Sequence, residues 1–439
     1  MRSIMRRCIR EDSHYMIFRF IKKILVSIID NVLLLFVKTR NNILFIPHRG
    51  FYASDNASIR NFRSDNALTY LRYLLDNNLY TDYNLIVASS IFNNRVEEEI
   101  KFISEYYPHR KIKIIDFFDL GIEKSLCERI RRKKIILSSK AVISSEPHYI
   151  SLRNKRQLII CASYYPAPFK SDFIPKDSPY FMNYAHECSF FDYFISNSKL
   201  ASHLDSSSSG LSFDKYLNIG QCRLDNFAYD CDEVREGIKC LVSYPVKHII
   251  LYTPTHRDYE SNTCDSRSLL GFKYEKKRLE EFIKRNNILV ICKLHPKQNS
   301  LVVDNTLPYG VVNFRGNPNY GLTELMLCAD LLITDYTSGY YEYLLLNKPV
   351  IFNFYDYSEY KESRGFVVDS IKELCAGDII YDERTFYDSL NNYLYGQGSS
   401  HTEHRRFVKN LFFEYQDSNS CQRLYEFIDA NLCKSKKSL

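Results

Sequence analysis

The sequence predicts an α/β chain of two Rossmann-like domains facing each other across a cleft, with an amphipathic helix ahead of them. Three observations carry that expectation. A length of 439 residues favours two or more domains. Short apolar runs, bounded like buried parallel strands, alternate with helical stretches along most of the chain. Polar loops rich in His, Arg, Lys, Thr and Ser follow several of those runs, at the strand ends where open α/β sheets bind ligands. Composition agrees, since 45% hydrophobic and 25% charged residues can bury sizeable cores. The net charge of +7 suits phosphates or an anionic membrane surface and does not by itself indicate a nucleic-acid partner. Thirteen cysteines lie scattered, with no CxxC pair and no spacing suited to zinc, so no metal site is expected and the thiols read as reduced and cytoplasmic.

Residues 1–40 form the one segment with membrane character. Arg2, Arg6, Arg7 and Arg10 lead into the apolar stretch His14–Val37, which Arg19, Lys22, Lys23 and Asp30 interrupt at helical spacing. A spanning helix needs about twenty uninterrupted apolar residues. A basic amphipathic helix lying in the membrane interface fits the pattern better, which places the chain peripherally at the cytoplasmic face. No small-residue cleavage site follows, which argues against a signal peptide.

The first domain, residues 41–225, opens with the strand Ile43–Ile46 and the loop Pro47-His48-Arg49-Gly50. Ser64-Asp65-Asn66 caps a helix over Ala67–Leu75, and strands follow at Asn84–Ala88, Lys113–Ile115, Lys134–Leu137, Ala141–Ser144 and Gln157–Cys161. The second domain, residues 226–425, opens with the strand His248–Tyr252, which runs into Thr253-Pro254-Thr255-His256-Arg257-Asp258. The strand Asn287–Lys293 runs into Leu294-His295-Pro296-Lys297. The clearest step is Leu331–Ile333, a polar elbow Asp335–Gly339, a helix Tyr340–Leu346, and a second strand Val350–Phe354 after Pro349. Asp, Thr and Ser in such an elbow can cap the helix and leave backbone N–H groups facing an anion. Helices are expected at Glu383–Tyr395, Glu403–Tyr415 and Cys421–Leu432, the last capped from Asp417–Ser420, and residues 426–439 are the helix end and a basic, disordered tail.

The run TDYTSGYYEYLLLNKPVIF with Arg364-Gly365-Phe366 downstream resembles the CDP-glycerol glycerophosphotransferase family, whose pattern is TDYSS…DF-LL-KP-IF…RGF. Thr253–Asp258 resembles that family's APT-x-RD motif, Lys293–Pro296 its K-x-HP, Phe191–Ser198 its YDYV-x-S-x-S strand, and Gly220–Asp225 its G-x-PR-x-D turn. The likeness is strong over roughly residues 190–425 and thinner before them. It implies a two-domain architecture of the GT-B type and transfer of glycerol phosphate, or a related polyol phosphate, from a CDP-activated donor. The acceptor would be a hydroxyl of a surface polymer or its lipid-linked precursor, and CMP would leave. No cofactor beyond the CDP-polyol donor is implied.

The resemblance further implies a donor site of Thr255, His256, Lys293, Asp335, Thr337, Ser338, Glu342, Arg364 and Gly365, with Arg257 and His295 as charge-stabilising catalytic groups. Both of these lie on loops, so their removal is expected to spare the fold. Lys170, Arg223 and Asp225 would line the cleft on the acceptor side. One departure matters. Where the family has WHG-x-P-x-K, with its histidine as base, this chain reads Tyr164-Tyr165-Pro166-Ala167-Pro168-Phe169-Lys170. Tyrosine, with an ordinary pKa near 10, is a poor base at neutral pH. Tyr165 could still be the working group, the base could come from His48 or His148 on nearby strand-end loops, the acceptor could differ, or activity could be lost. A nucleotide-sugar glycosyltransferase or a non-catalytic nucleotide- or polymer-binding relative are the alternatives.

Overall fold

The computed structural model describes residues 24–48, 65–89, 96–117, 126–162, 179–255, 257, 270–294, 307–316, 321–363, 365–396 and 401–437. Strands β1 (Arg40–Ile46), β2 (Asn84–Ser89), β3 (Ile112–Asp116), β4 (Ser139–Ser144), β5 (Leu158–Cys161), β6 (Tyr193–Ser196) and β7 (Tyr216–Asn218) form one sheet in the order β3-β2-β1-β4-β5-β6-β7. Strands β8 (His248–Thr253), β9 (Ile288–Cys292), β10 (Val311–Asn313), β11 (Leu331–Thr334), β12 (Val350–Asn353) and β13 (Asp378–Ile380) form a second in the order β10-β9-β8-β11-β12-β13. Every pairing in both is parallel. The α/β class with parallel sheets therefore stands as expected. In each sheet the strand order reverses once, between β1 and β4 and between β8 and β11, and in open α/β sheets the crevice that binds ligands lies at such a reversal, beyond the strands' carboxyl ends.

The strands read as continuous apolar runs because both faces of each sheet are covered. In β1, Ile43 and Phe45 pack into one core with Tyr70, Leu71 and Leu74, while Leu44 and Ile46 join a second core on the opposite face. In β8, Ile249 and Leu251 face one core, and Ile250 and Tyr252 the other. The helix Asn66–Asp76 starts where Asp65 accepts the Leu68 N–H at 3.0 Å. Its apolar stripe of Leu68, Leu71, Leu74 and Leu75 lies on the sheet.

Three expectations need correction. Lys134–Leu137 is no strand but the end of the helix Leu126–Ser138, in which Ile136 and Leu137 are buried. A three-residue apolar run does not distinguish strand from helix, and the charged residues before it complete the helical turns. The edge strands β7, β10 and β13 are only three residues each and half-buried, so they carry little periodic signal. The final helix, Ser420–Lys437, packs on the first sheet, its Cys421, Leu424, Ile428 and Leu432 entering the core of Tyr70 and Leu74. Its helical span continues through the residues expected to be a disordered tail up to Lys437. Its first turn is capped across the chain by Asp225, which accepts from the N–H groups of Ser420 (2.9 Å) and Cys421 (2.8 Å), rather than by Asp417–Ser420.

Ahead of the first sheet, residues 24–36 are helical. Leu33 is buried with Leu137 and Leu152, and Asp30 pairs with Lys133 at 2.5 Å. Leu25, Ile28, Leu35 and Phe36 remain exposed. Among the described residues no helix is long and apolar enough to cross a membrane. Residues 1–23, with the arginines of the basic segment, lie outside the described residues.

Candidate functional site

At the reversal of the second sheet, β8 and β11 run in register to Thr253 and Thr334, whose hydroxyls meet at 3.1 Å. One step further, the Thr255 backbone N–H and hydroxyl donate to Asp335, at 2.9 and 2.7 Å, tying the loop after β8 to the elbow after β11. Arg257 closes this tie from beneath. Its guanidinium donates to Asp335 at 2.9 Å, to Asp356 at 2.6 and 3.1 Å, and to the Thr255 carbonyl at 2.5 Å. The rings of Tyr336 and Tyr360 lie 5.1 Å from the guanidinium carbon and that of Tyr355 5.5 Å, so the charge is boxed by aromatic faces as well as by two carboxylates. The Tyr336 hydroxyl donates to Asp356 at 3.1 Å, and its ring stacks on Tyr360 at 3.8 Å.

The Arg257 side chain is 1% exposed. Burial works against its charge, but Asp335 and Asp356 outweigh it and hold the guanidinium pKa above its ordinary value. Arg257 thus sits within the wall of the crevice and not on its rim, and the expectation that it can be removed without cost to the fold is corrected. Asp335, the N-cap candidate of the elbow, is likewise committed to Thr255, Arg257 and the Tyr336 N–H (2.6 Å). Thr337 and Ser338 remain half-exposed, and the Thr337 hydroxyl approaches the Gly339 N–H at 3.4 Å.

Lys293 leaves β9 at the same edge, its N–H bonded to the Tyr252 carbonyl at 2.8 Å. Burial lowers its ammonium pKa, and among the described residues no carboxylate pairs with it. Gly365 takes a φ of +72°, open to glycine at no steric cost, and turns Phe366 onto Tyr336 with ring centroids 5.6 Å apart. His256, His295 and Arg364 lie outside the described residues, as do Tyr165 and Lys170.

At the reversal of the first sheet, His48 follows β1 and Glu146 follows β4, with Nε2 and Oε1 2.7 Å apart. Asp65 accepts from the His48 N–H at 2.8 Å and from the Ser145 hydroxyl at 2.9 Å; burial raises its carboxyl pKa, which these hydrogen bonds partly offset. Beside it the Asn66 side-chain oxygen accepts the Arg223 N–H at 3.0 Å, and the Arg223 guanidinium donates to Glu342. Arg223 and Glu342, assigned separately to acceptor and donor sides, form one ion pair between the elements of the two sheets. Asp225 is the helix cap described above, with both oxygens engaged. His148 pairs with Glu187 at 2.7 Å. Among the described residues no group of His, Cys, Asp and Glu could hold a metal.

Sequence reasoning missed Glu146 and Asp356. Both stand two or three residues past a strand's end, at the ligand-binding edge, and a carboxylate at that offset was the available signal.

A family model described as CDP-Glycerol:Poly(glycerophosphate) glycerophosphotransferase matches residues 71–430. The teichoic acid glycerol-phosphate primase of Bacillus subtilis (strain 168) is 28% identical over 242 residues, 55% of this chain and 58% of the primase. The teichoic acid ribitol-phosphate polymerase TarL of Staphylococcus aureus (strain NCTC 8325 / PS 47) is 30% identical over 184 residues, 40% of this chain and 30% of the polymerase. The matched stretch thus spans little more than half of the first relative and under a third of the second. The solved structure of the wall teichoic acid polymerase TagF superposes with a TM-score of 0.70 at 18% identity, covering 96% of this chain and 97% of that one, which shows a shared fold. A TagF variant soaked with CDPG superposes at 0.66.

Proposed function

The chain belongs to the CDP-glycerol:poly(glycerophosphate) glycerophosphotransferase family, and we propose that it transfers glycerol phosphate or ribitol phosphate from a CDP-activated donor to a hydroxyl of a surface polymer or its lipid-linked precursor. The donor lies against the second sheet and the acceptor enters from the first, across the crevice that Arg223 and Glu342 bridge. Attack on the β-phosphorus expels CMP. The observation that carries this reading is Lys293, a half-buried cation at the carboxyl end of β9 with no carboxylate partner among the described residues. A pyrophosphate supplies the missing negative charge, and the Thr337 and Ser338 hydroxyls stand on the neighbouring elbow to donate to its oxygens. His295 and Arg364 belong to this rim by sequence. Arg257 holds Thr255 and Asp335 in place from behind.

The test is nucleotide release from CDP-glycerol, CDP-ribitol and UDP-sugars by purified protein, with and without membranes. CMP from one CDP-polyol alone is the expected result. UDP released from a sugar donor would favour a glycosyltransferase, and donor binding without release would favour the binding module that Tyr165 keeps open.

We also infer that the helix over residues 24–36 seats the protein peripherally on an anionic membrane, at the cytoplasmic face. Exposed Ile28, Val32 and Phe36 line a groove whose rim carries Arg40, Lys113, Arg131 and Lys134. Each basic residue near an anionic surface contributes about 1 kcal/mol, screened by salt. The protein is expected to sediment with phosphatidylglycerol vesicles and to leave them as salt rises. Equal binding to phosphatidylcholine vesicles would remove the electrostatic part of this reading.

A further inference from the structure

The first sheet carries an imidazole–carboxylate pair at its own point of strand-order reversal. β1 and β4 are neighbours there, and the Ser145 N–H donates to the Ile46 carbonyl at 2.8 Å, so the two loops leave the sheet side by side. His48 and Glu146 each stand two residues past their strand and meet at 2.7 Å. The Glu146 side chain is 12% exposed and that of His48 40%, so the carboxylate is tucked behind a ring that faces outward. The backbone of His48 is pinned by Asp65, the cap of the helix Asn66–Asp76. From that helix the contacts run through Asn66 to Arg223 and from Arg223 to Glu342, in the helix Gly339–Tyr343 that begins right after Ser338. The backbone of His48 is thereby linked, through Asp65, Asn66 and Arg223, to the helix that follows the elbow of the proposed donor site.

We propose that His48 is the general base that takes the proton of the acceptor hydroxyl, with Glu146 as its positioning residue. The proposal rests on the transferase reading above. The ring nitrogen turned away from Glu146 accepts the hydroxyl proton while the oxygen's electron pair forms the new bond to the β-phosphorus. The bond from that phosphorus to the CMP oxygen breaks, and its electron pair leaves on CMP. Glu146 holds the Nε2–H, which fixes the tautomer, and balances the imidazolium until its proton passes to water. Among the described residues, the carboxylates of Glu146 from the β4 side and Asp65 from the helix side face His48.

The experiment follows CMP release and product formation, with kcat and KM separated, for CDP-glycerol and CDP-ribitol, with a synthetic oligo(glycerol phosphate) bearing a free terminal hydroxyl as acceptor probe. His48→Gln should lose about 10²–10⁴-fold in rate. Glu146→Gln should lower kcat by an intermediate factor with KM held, and Tyr165→Phe should keep most activity. Full activity in His48→Gln, or loss confined to Tyr165→Phe, would overturn the base while leaving the transferase reading standing. A wild type that releases no CMP from either donor would overturn that reading itself and the base with it.

Discussion

Replacing Arg257 by alanine is expected to cost about 3–5 kcal/mol of stability, the usual penalty for removing one partner of a buried ion pair. Asp335 and Asp356 would then be left facing each other's loops without a counter-charge, in a site where both side chains are at most 3% exposed. Against a total stability of about 5–15 kcal/mol, that loss is large enough to lower the yield of folded protein as well as its melting point. Arg257→Met, which fills much of the same volume, should recover little, because the missing element is charge. Combining it with Asp335→Asn and Asp356→Asn should recover most of the loss, since a buried charge cluster replaced as a whole is often neutral. Urea midpoints for the single and triple variants decide the matter. A single variant with the wild-type midpoint would mean that water reaches the cluster and screens it.

Lys293 is the second large effect, and it falls on binding and rate, with the fold expected to hold. Removing one preorganised cation from a phosphoryl-transfer site typically costs about 10²–10³-fold in rate. The pH dependence has a fixed sign. Burial lowers the Lys293 pKa, so the free protein favours the neutral amine more than an exposed lysine does. Only the ammonium pairs with a pyrophosphate, so donor affinity should be highest at low pH and decline as pH rises through the lowered pKa, earlier than for an ordinary lysine. Lys293→Arg keeps the charge at all accessible pH and should flatten the alkaline decline even if it binds less well. Calorimetric titration of CDP-glycerol and CDP-ribitol against pH gives the answer. An alkaline decline that is identical in wild type and Lys293→Ala would assign the titration to another group.

The elements that are legible in the sequence are those buried on both faces. Leu331–Thr334 and His248–Thr253 read directly as strands because, after His248 at the half-buried start of the second, every residue in them is apolar or a threonine at the end. The elbow between Asp335 and Gly339 is legible for the same reason, being a polar interruption between two such segments. The role of Arg257 is not, because its partners Asp335 and Asp356 lie 78 and 99 residues further on and meet it only when β8, β11 and β12 align. A loop position and a positive charge look the same in sequence whether the side chain ends in solvent or in an aromatic box. Glu342 and Arg223 pose the same difficulty, since each looks like a ligand group until the other is placed beside it. The cap that Asp225 makes on the last helix spans 195 residues and leaves no local pattern.

That last helix has a consequence for the order of events during synthesis. The core on one face of the first sheet is assembled from Tyr70, Leu71 and Leu74 together with Cys421, Leu424, Ile428 and Leu432. Domains generally fold as they emerge from the ribosome, amino-terminal first, at about 5–20 residues per second. The first sheet of this chain emerges early but waits uncapped, with the apolar face meant for the helix Ser420–Lys437 turned to solvent, while the whole second sheet is made. The nascent chain therefore carries a sticky half-built layer while residues 219–419 are made, and completes it only when the last helix emerges.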